Sequence, residues 1–214
     1  MLPGLHNSHS HALFTADLDV CDLQGAPKTL AEIVPILKEC LTRYAIPEGQ
    51  WLSVNVWNPY GGNQPSADLP PIRAALDAVS TKNPIVLFGA DGHHGAYNSA
   101  GLALAQNAAG QTFGISAATL KTDFAKSAAT IGVDGSGEPT GNVDEGARRL
   151  IASPTMLKPD KEAMRQALPQ VMHMLASEGI TAIMDAWAND YVIGLYEGLA
   201  KQTLLTARVT LTLL

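Results

Sequence analysis

Apolar positions recur along this chain with two periods, three-to-four and two, and their succession lays out the elements. Leu30, Ile33, Val34, Leu37, Leu41 and Tyr44 fall three and four apart, the pattern of one helical face. Thr29 followed by Glu32 has the form of a capping box at its start. Pro35 lies inside the stretch, so the sequence predicts a kink there or a start nearer Glu32. Residues 51–57 alternate, with Leu52, Val54 and Val56 on one face of a strand. Residues 71–79 read as a short helix with Ile72, Leu76 and Val79 inward, and the apolar run 85–88 as a buried strand. Gly, Ala, Ser and Thr dominate from 108 to 141, which predicts helix fragments and loops around the turn Asp134-Gly135-Ser136-Gly137.

The last third is more regular. Asp160 can cap a helix running to Glu178, with Met164, Leu168, Val171 and Leu175 inward and Gly179 ending it. Residues 180–184 form an apolar strand, Asn189 caps a helix through Lys201, and 208–214 alternate as a further strand. Strand, helix, strand in such a short span is a βαβ unit, which implies a parallel sheet covered on both faces. At the other end, a short apolar stub over residues 1–5 runs directly into Asn7-Ser8-His9-Ser10-His11. A first strand without a preceding partner, and a last strand without a covering helix, lead us to expect a domain that continues beyond this chain.

Composition narrows the function classes. The 214 residues carry 14 Lys and Arg against 20 Asp and Glu, a formal net charge of −6. No basic stripe is available to neutralise phosphates, so a nucleic-acid partner is not expected. No apolar run approaches the roughly 20 residues that cross a bilayer, and because Leu2-Pro3-Gly4-Leu5-His6 turns polar almost at once, these residues are not expected to act as a signal peptide. Cys21 and Cys40 do not make a disulfide framework, which fits a reducing compartment, and a cytoplasmic location is expected. Charged residues make up only 16%, against about 25% in typical soluble proteins.

The strongest chemical signal is His9-Ser10-His11. Residues i and i+2 of a strand share a face, so both imidazoles can converge on one divalent ion. Taken alone, such a pair is equally the mark of two surface histidines. Its surroundings add to it. Pro3-Gly4-Leu5-His6-Asn7-Ser8-His9-Ser10-His11 resembles the Pro-Gly-apolar-apolar-Asp-X-His-X-His signature of the amidohydrolase superfamily. Asp91-Gly92-His93-His94-Gly95-Ala96-Tyr97-Asn98-Ser99 resembles an Asp-Gly-His-Ser-X-X-X-Asn-Ser pattern of its family 3 branch, which includes N-substituted formamide deformylases. Gly137-Glu138-Pro139-Thr140-Gly141 followed by Glu145 resembles a second pattern of that branch, and Gly179-Ile180-Thr181 through Asp185 is similar to its Gly-Ile-Thr strand. Two positions depart from it: Asn7 stands where the family has Asp, and His94 where it has Ser.

The resemblance implies an α/β fold: part of a (β/α)8 TIM-type barrel with a large α/β insertion after the first strand. In those terms residues 1–27 hold the first barrel strand and the His pair, 28–178 an inserted lid segment, and 179–214 a barrel βαβ unit. It implies a divalent metal, zinc foremost, held by His9 and His11. A metal-activated hydroxide would attack an amide-like, non-peptide C–N bond of a small molecule. His93 and Asp185 are the residues it places near substrate; each is also readable structurally, His93 as steadying the Asp91-Gly92 turn and Asp185 as capping the following loop. Asn98 and Glu145 read as organisers of the lid, and His173 as an ordinary helix histidine. The family's further ligands and its general-base aspartate have no counterpart here, so no catalytic base is assigned. The alternative is therefore a truncated product, inactive alone or persisting as a protein-interaction remnant, with self-association through exposed apolar edges. TatD-type deoxyribonucleases share a strand-one His pair but not the Gly-Glu-Pro-Thr-Gly segment.

Overall fold

A computed structural model of the chain describes residues 3–154 and 160–213. Residues 1 and 2 of the predicted stub and residue 214 of the last predicted strand lie outside them. In chain order the elements are β1 (Leu5–Ser10), α1 (Leu30–Arg43), β2 (Leu52–Trp57), α2 (Ile72–Val79), β3 (Ile85–Gly89), β4 (Gly95–Tyr97) and α3 (Ser99–Leu102). Then follow β5 (Ile131–Val133), β6 (Pro139–Val143), α4 (Lys161–Ser177), β7 (Ile180–Ala188), α5 (Asp190–Lys201) and β8 (Arg208–Leu213). The chain divides into two compact units, residues 1–19 with 157–214, and residues 20–156.

The first unit is built on a three-stranded sheet in the order β1-β7-β8. Both pairings are parallel, with Leu5 opposite Ile180 and Ala182 opposite Arg208. The predicted βαβ unit is thus present. Helix α4 starts as expected, the Asp160 side chain accepting from the Ala163 backbone N–H at 2.7 Å, and it ends before Gly179 at φ +73°. Asn189 caps α5 in the same way through Val192, at 3.1 Å. The apolar face of α4, Met164, Leu168, Val171 and Leu175, packs in one core with Ile183 of β7 and Val192, Leu195 and Leu199 of α5. Burial on both faces does not extend to the outer strands: Leu5 of β1 is 59% exposed and Leu213 of β8 68%.

A close approach explains the glycine before β1. Any side chain at Gly4 would overlap Thr181 of β7, and the Leu5 N–H donates to the Gly179 carbonyl at 2.9 Å. The Pro-Gly and Gly-Ile-Thr segments are therefore two sides of one strand contact.

The second unit holds a five-stranded mixed sheet in the order β2-β3-β4-β6-β5. β2 and β3 run parallel, while β3–β4, β4–β6 and β5–β6 are antiparallel. β3 is buried throughout. Its Ile85 and Leu87 face a core with α1, α2 and β2, and its Val86 and Phe88 face a second core with Tyr97, Leu102, Phe124 and Ile131. Helix α1 begins at Leu30, not nearer Glu32. The reciprocal capping box forms, with the Glu32 N–H donating to Thr29 Oγ1 at 3.2 Å and the Thr29 N–H to Glu32 Oε2 at 2.7 Å. Pro35 is accommodated inside the helix. Strand β2 departs from strict alternation: Val56 takes a left-handed φ of +51°, the register shifts between Val54 and Trp57, and Trp57 rather than Val56 turns inward. This is the signature of a bulge.

Cys21 and Cys40 form a disulfide that ties the segment before α1 to that helix. Disulfides persist mainly in oxidising compartments, so the cysteines no longer support the expected reducing, cytoplasmic setting. Among the described residues no helix is long and apolar enough to cross a membrane.

Candidate metal centre

His9 lies on β1, and His11 follows it directly where the chain turns into a short 3-10 turn at Ala12–Thr15. Their ring centroids are 5.3 Å apart. Metal–nitrogen distances of about 2.1 Å put two imidazoles on one tetrahedral ion with ring centres roughly 5 Å apart, so the spacing fits a shared ion. Asn7, at the position where the family signature has Asp, accepts the His9 backbone N–H at 3.1 Å, so the substitution keeps a local hydrogen bond that orients the segment.

Asp185 of β7 lies opposite Ser10 of β1, and its Oδ1 is 3.7 Å from His11 Nδ1. The residue is only 2% exposed. Its Oδ2 accepts the Tyr196 hydroxyl at 2.8 Å and its Oδ1 the Trp187 backbone N–H at 3.2 Å. Burial pushes the Tyr196 phenol well above its ordinary range, and the Asp185 charge and hydrogen bond add to this. Tyr196 thus remains a neutral donor to the carboxylate. Sequence reasoning missed Tyr196; only its place on the helix following β7 hints that it returns over that strand.

His93 belongs to the other compact unit, in the loop between β3 and β4. Its Nδ1 is 3.1 Å from Glu145 Oε1, and its side chain is 64% exposed. The Glu145 N–H donates back to the His93 carbonyl at 2.9 Å. Beside it, Asp91 organises the loop: Oδ1 accepts the His93 and His94 backbone N–H groups at 2.9 and 3.1 Å. Its Oδ2 accepts the Tyr60 hydroxyl at 2.6 Å and lies 2.5 Å from His94 Nδ1. Burial alone would raise the Asp91 carboxyl, but these hydrogen bonds outweigh it and hold the group well below the usual carboxylate range. Arg148 closes the loop by donating to the Gly92 carbonyl at 2.5 Å. The two sequence segments singled out around residues 91–99 and 137–145 are thus stitched to one another, and the turn-steadying role is carried by Asp91. Tyr60 and Arg148 were not legible, since each reaches the loop from a remote stretch of sequence.

Asn98 is wholly buried and organises its surroundings. Its Oδ1 accepts from Ile85 at 2.9 Å and Gly101 at 2.8 Å, and its Nδ2 donates to the carbonyls of Ser80 at 2.9 Å and Asn83 at 2.8 Å. His173 sits exposed on α4. Among the described residues, no group of three or more His, Cys, Asp or Glu side chains is placed to hold a metal ion. The His pair is two donors of a site that needs at least a third.

The chain is 28% identical to Protein LONG AFTER FAR-RED 3 of Arabidopsis thaliana over 189 residues, 86% of this chain and 28% of that protein. It is 30% identical to the exoenzymes regulatory protein AepA of Pectobacterium carotovorum subsp. carotovorum over 188 residues, 86% of this chain and 37% of that protein. It therefore spans less than two fifths of the length of these curated relatives. An uncharacterized metal-dependent hydrolase from Pyrococcus furiosus shares the fold over 99% of this chain and 37% of its own, with a TM-score of 0.50 and 20% identity. The model of the amidohydrolase family Amidohydro_3 matches residues 1–213, and the chain belongs to that family.

Proposed function

We propose that this chain is the part of a metal-dependent hydrolase that carries the strand-one histidine pair, in an enzyme acting on amide-like, non-peptide C–N bonds of small molecules. The observation that carries the reading is the pair itself: His9 and His11 at the end of a strand in a parallel sheet, with rings 5.3 Å apart, in a chain of the amidohydrolase family. His9 and His11 would hold the ion, zinc foremost among the divalent candidates. When bound, such an ion supplies Lewis acidity to a water molecule and to the bond under attack.

Three parallel strands joined by way of helices support reading β1, β7 and β8 as part of a (β/α)8 barrel, with the residues between β1 and α4 inserted. Barrel enzymes place their sites at the carboxyl ends of strands, and the pair occupies that end of β1. His93, with its ring exposed and Nδ1 held by Glu145, is the residue we assign to substrate contact. The net charge of −6 weighs against a nucleic-acid partner. Exposed Leu5 and Leu213 on the outer strands favour self-association through those edges.

A second reading has its own support: two histidines without a third donor among the described residues predict a polypeptide that does not turn over by itself. One experiment separates the two. The purified chain is titrated with Zn2+ and assayed on N-formyl and N-acyl amines, alongside His9→Ala. Turnover that His9→Ala abolishes supports the hydrolase as it stands. Metal bound at the pair without turnover supports the second reading. Zinc binding unchanged by both His9→Ala and His11→Ala overturns the assignment of the pair.

A further inference from the structure

We propose that Asp185 is a positioning residue for His11: its carboxylate, held from the far side by Tyr196, faces Nδ1 at an ion-pair distance of 3.7 Å, which favours the proton on Nδ1 and leaves Nε2 as the nitrogen presented to a metal ion. The proposal rests on the metal-binding reading of the His pair and concerns how this chain prepares one of its two donors.

A carboxylate removed from water is costly unless neighbours compensate it. At 2% exposure Asp185 needs such neighbours, and they come from three directions. Tyr196 arrives on α5 and donates to Oδ2 at 2.8 Å. The Trp187 backbone N–H, two residues further along the same strand, donates to Oδ1 at 3.2 Å. These two bonds fix the orientation of the carboxylate and leave Oδ1 facing the His11 ring, 3.7 Å from Nδ1. The parallel register with Ser10 opposite Asp185 holds His11 beside it. An imidazole whose Nδ1 faces a fixed anion carries its proton there, and its Nε2 lone pair is then free to bind. Histidine ligands generally depend on such a partner for tautomer and ring orientation, and losing it costs about 10- to 100-fold in metal affinity. With so little exposed surface, this carboxylate is arranged to serve the ring and not to meet a substrate.

The test uses the full chain and two readouts. In the metal-free protein at alkaline pH, nitrogen-15 NMR of the imidazoles should show His11 as the Nδ1–H tautomer, and Asp185→Asn should shift it toward the mixture of an unconstrained ring. Zn2+ titration by calorimetry should give an affinity about 10- to 100-fold weaker for Asp185→Asn. Tyr196→Phe, which leaves the carboxylate in place, should move both readouts in the same direction by less, and keeps the test open should the Asn variant fold poorly. An unchanged tautomer together with unchanged affinity overturns the proposal while leaving the His pair intact as a metal site. A wild-type chain that binds no zinc, yet loses its His11 tautomer in Asp185→Asn, overturns the metal reading and keeps the positioning role.

Discussion

At the scale of single residues, two polar groups, one half-buried and one wholly buried, do more than the sequence advertises. Asp91 accepts four hydrogen bonds, which hold its carboxyl well below the ordinary range in the folded chain. A carboxylate with a depressed folded pKa contributes stability that is complete above its unfolded value, about 3.9, and is lost as pH falls toward the folded one. Asp91→Asn should therefore cost about 1–3 kcal/mol at pH 7. In urea melts, the gap between variant and wild type should narrow steadily below about pH 4. A gap that stays constant down to pH 3 contradicts this account. Asn98 makes four bonds from a fully buried position, and Asn98→Ala strands two backbone N–H groups and two carbonyls. The expected loss is at least about 2 kcal/mol, read from the same melts; a loss under half of that contradicts the accounting.

Among the elements, those with strong periodicity or caps were legible. α1, α4 and α5 follow from apolar spacings of three and four and from Thr29, Asp160 and Asn189; β3 follows from its apolar run. The strands β4, β5 and β6 were not, because three to five residues rich in Gly, Ala and Thr carry too few alternations to register. The predicted turn at 134–137 is the tip of the β5–β6 hairpin, where the Gly137 N–H donates to the Asp134 carbonyl at 2.9 Å. The inward turn of Trp57 depends on the left-handed backbone at Val56, which no propensity suggests for a β-branched residue. At the candidate centre the pair His9 and His11 was legible and its support was not, since Tyr196 meets Asp185 only once α5 has packed on β7.

The same reasoning gives the Gly-Glu-Pro-Thr-Gly segment a structural duty. Gly141 on β6 has φ +109°, and a Cβ there would lie 2.9 Å from both the Arg73 backbone nitrogen and the Tyr97 carbonyl oxygen. Gly141→Ala should destabilise residues 20–156 by more than the roughly 1 kcal/mol of an ordinary glycine exchange, because backbone on both sides must yield. Thermal melts comparing it with Gly135→Ala, where a Cβ meets nothing, check this; equal shifts for the two would refute it.

For the whole molecule, the disulfide acts on one of the two compact units. It closes a loop with a sequence separation of 19, for which chain entropy gives about 3 kcal/mol. Replacing both cysteines by serine should raise the exchange rates of the most protected β2 and β3 amides by about two orders of magnitude. Amides of α5 and β7, in the other unit, should be unaffected. A uniform change across both units would contradict the division.

The pairing of Leu5 with Ile180 also dictates an order of assembly. During synthesis the histidine strand is made before the second unit, and the strand it pairs with only after the whole of that unit. Closing so long a loop costs only logarithmically more than closing a short one, but contacts this distant in sequence form slowly. The second unit, residues 20–156, is compact by itself and can condense meanwhile. The histidines are thus made before residues 20–156 and are set beside β7 only after them.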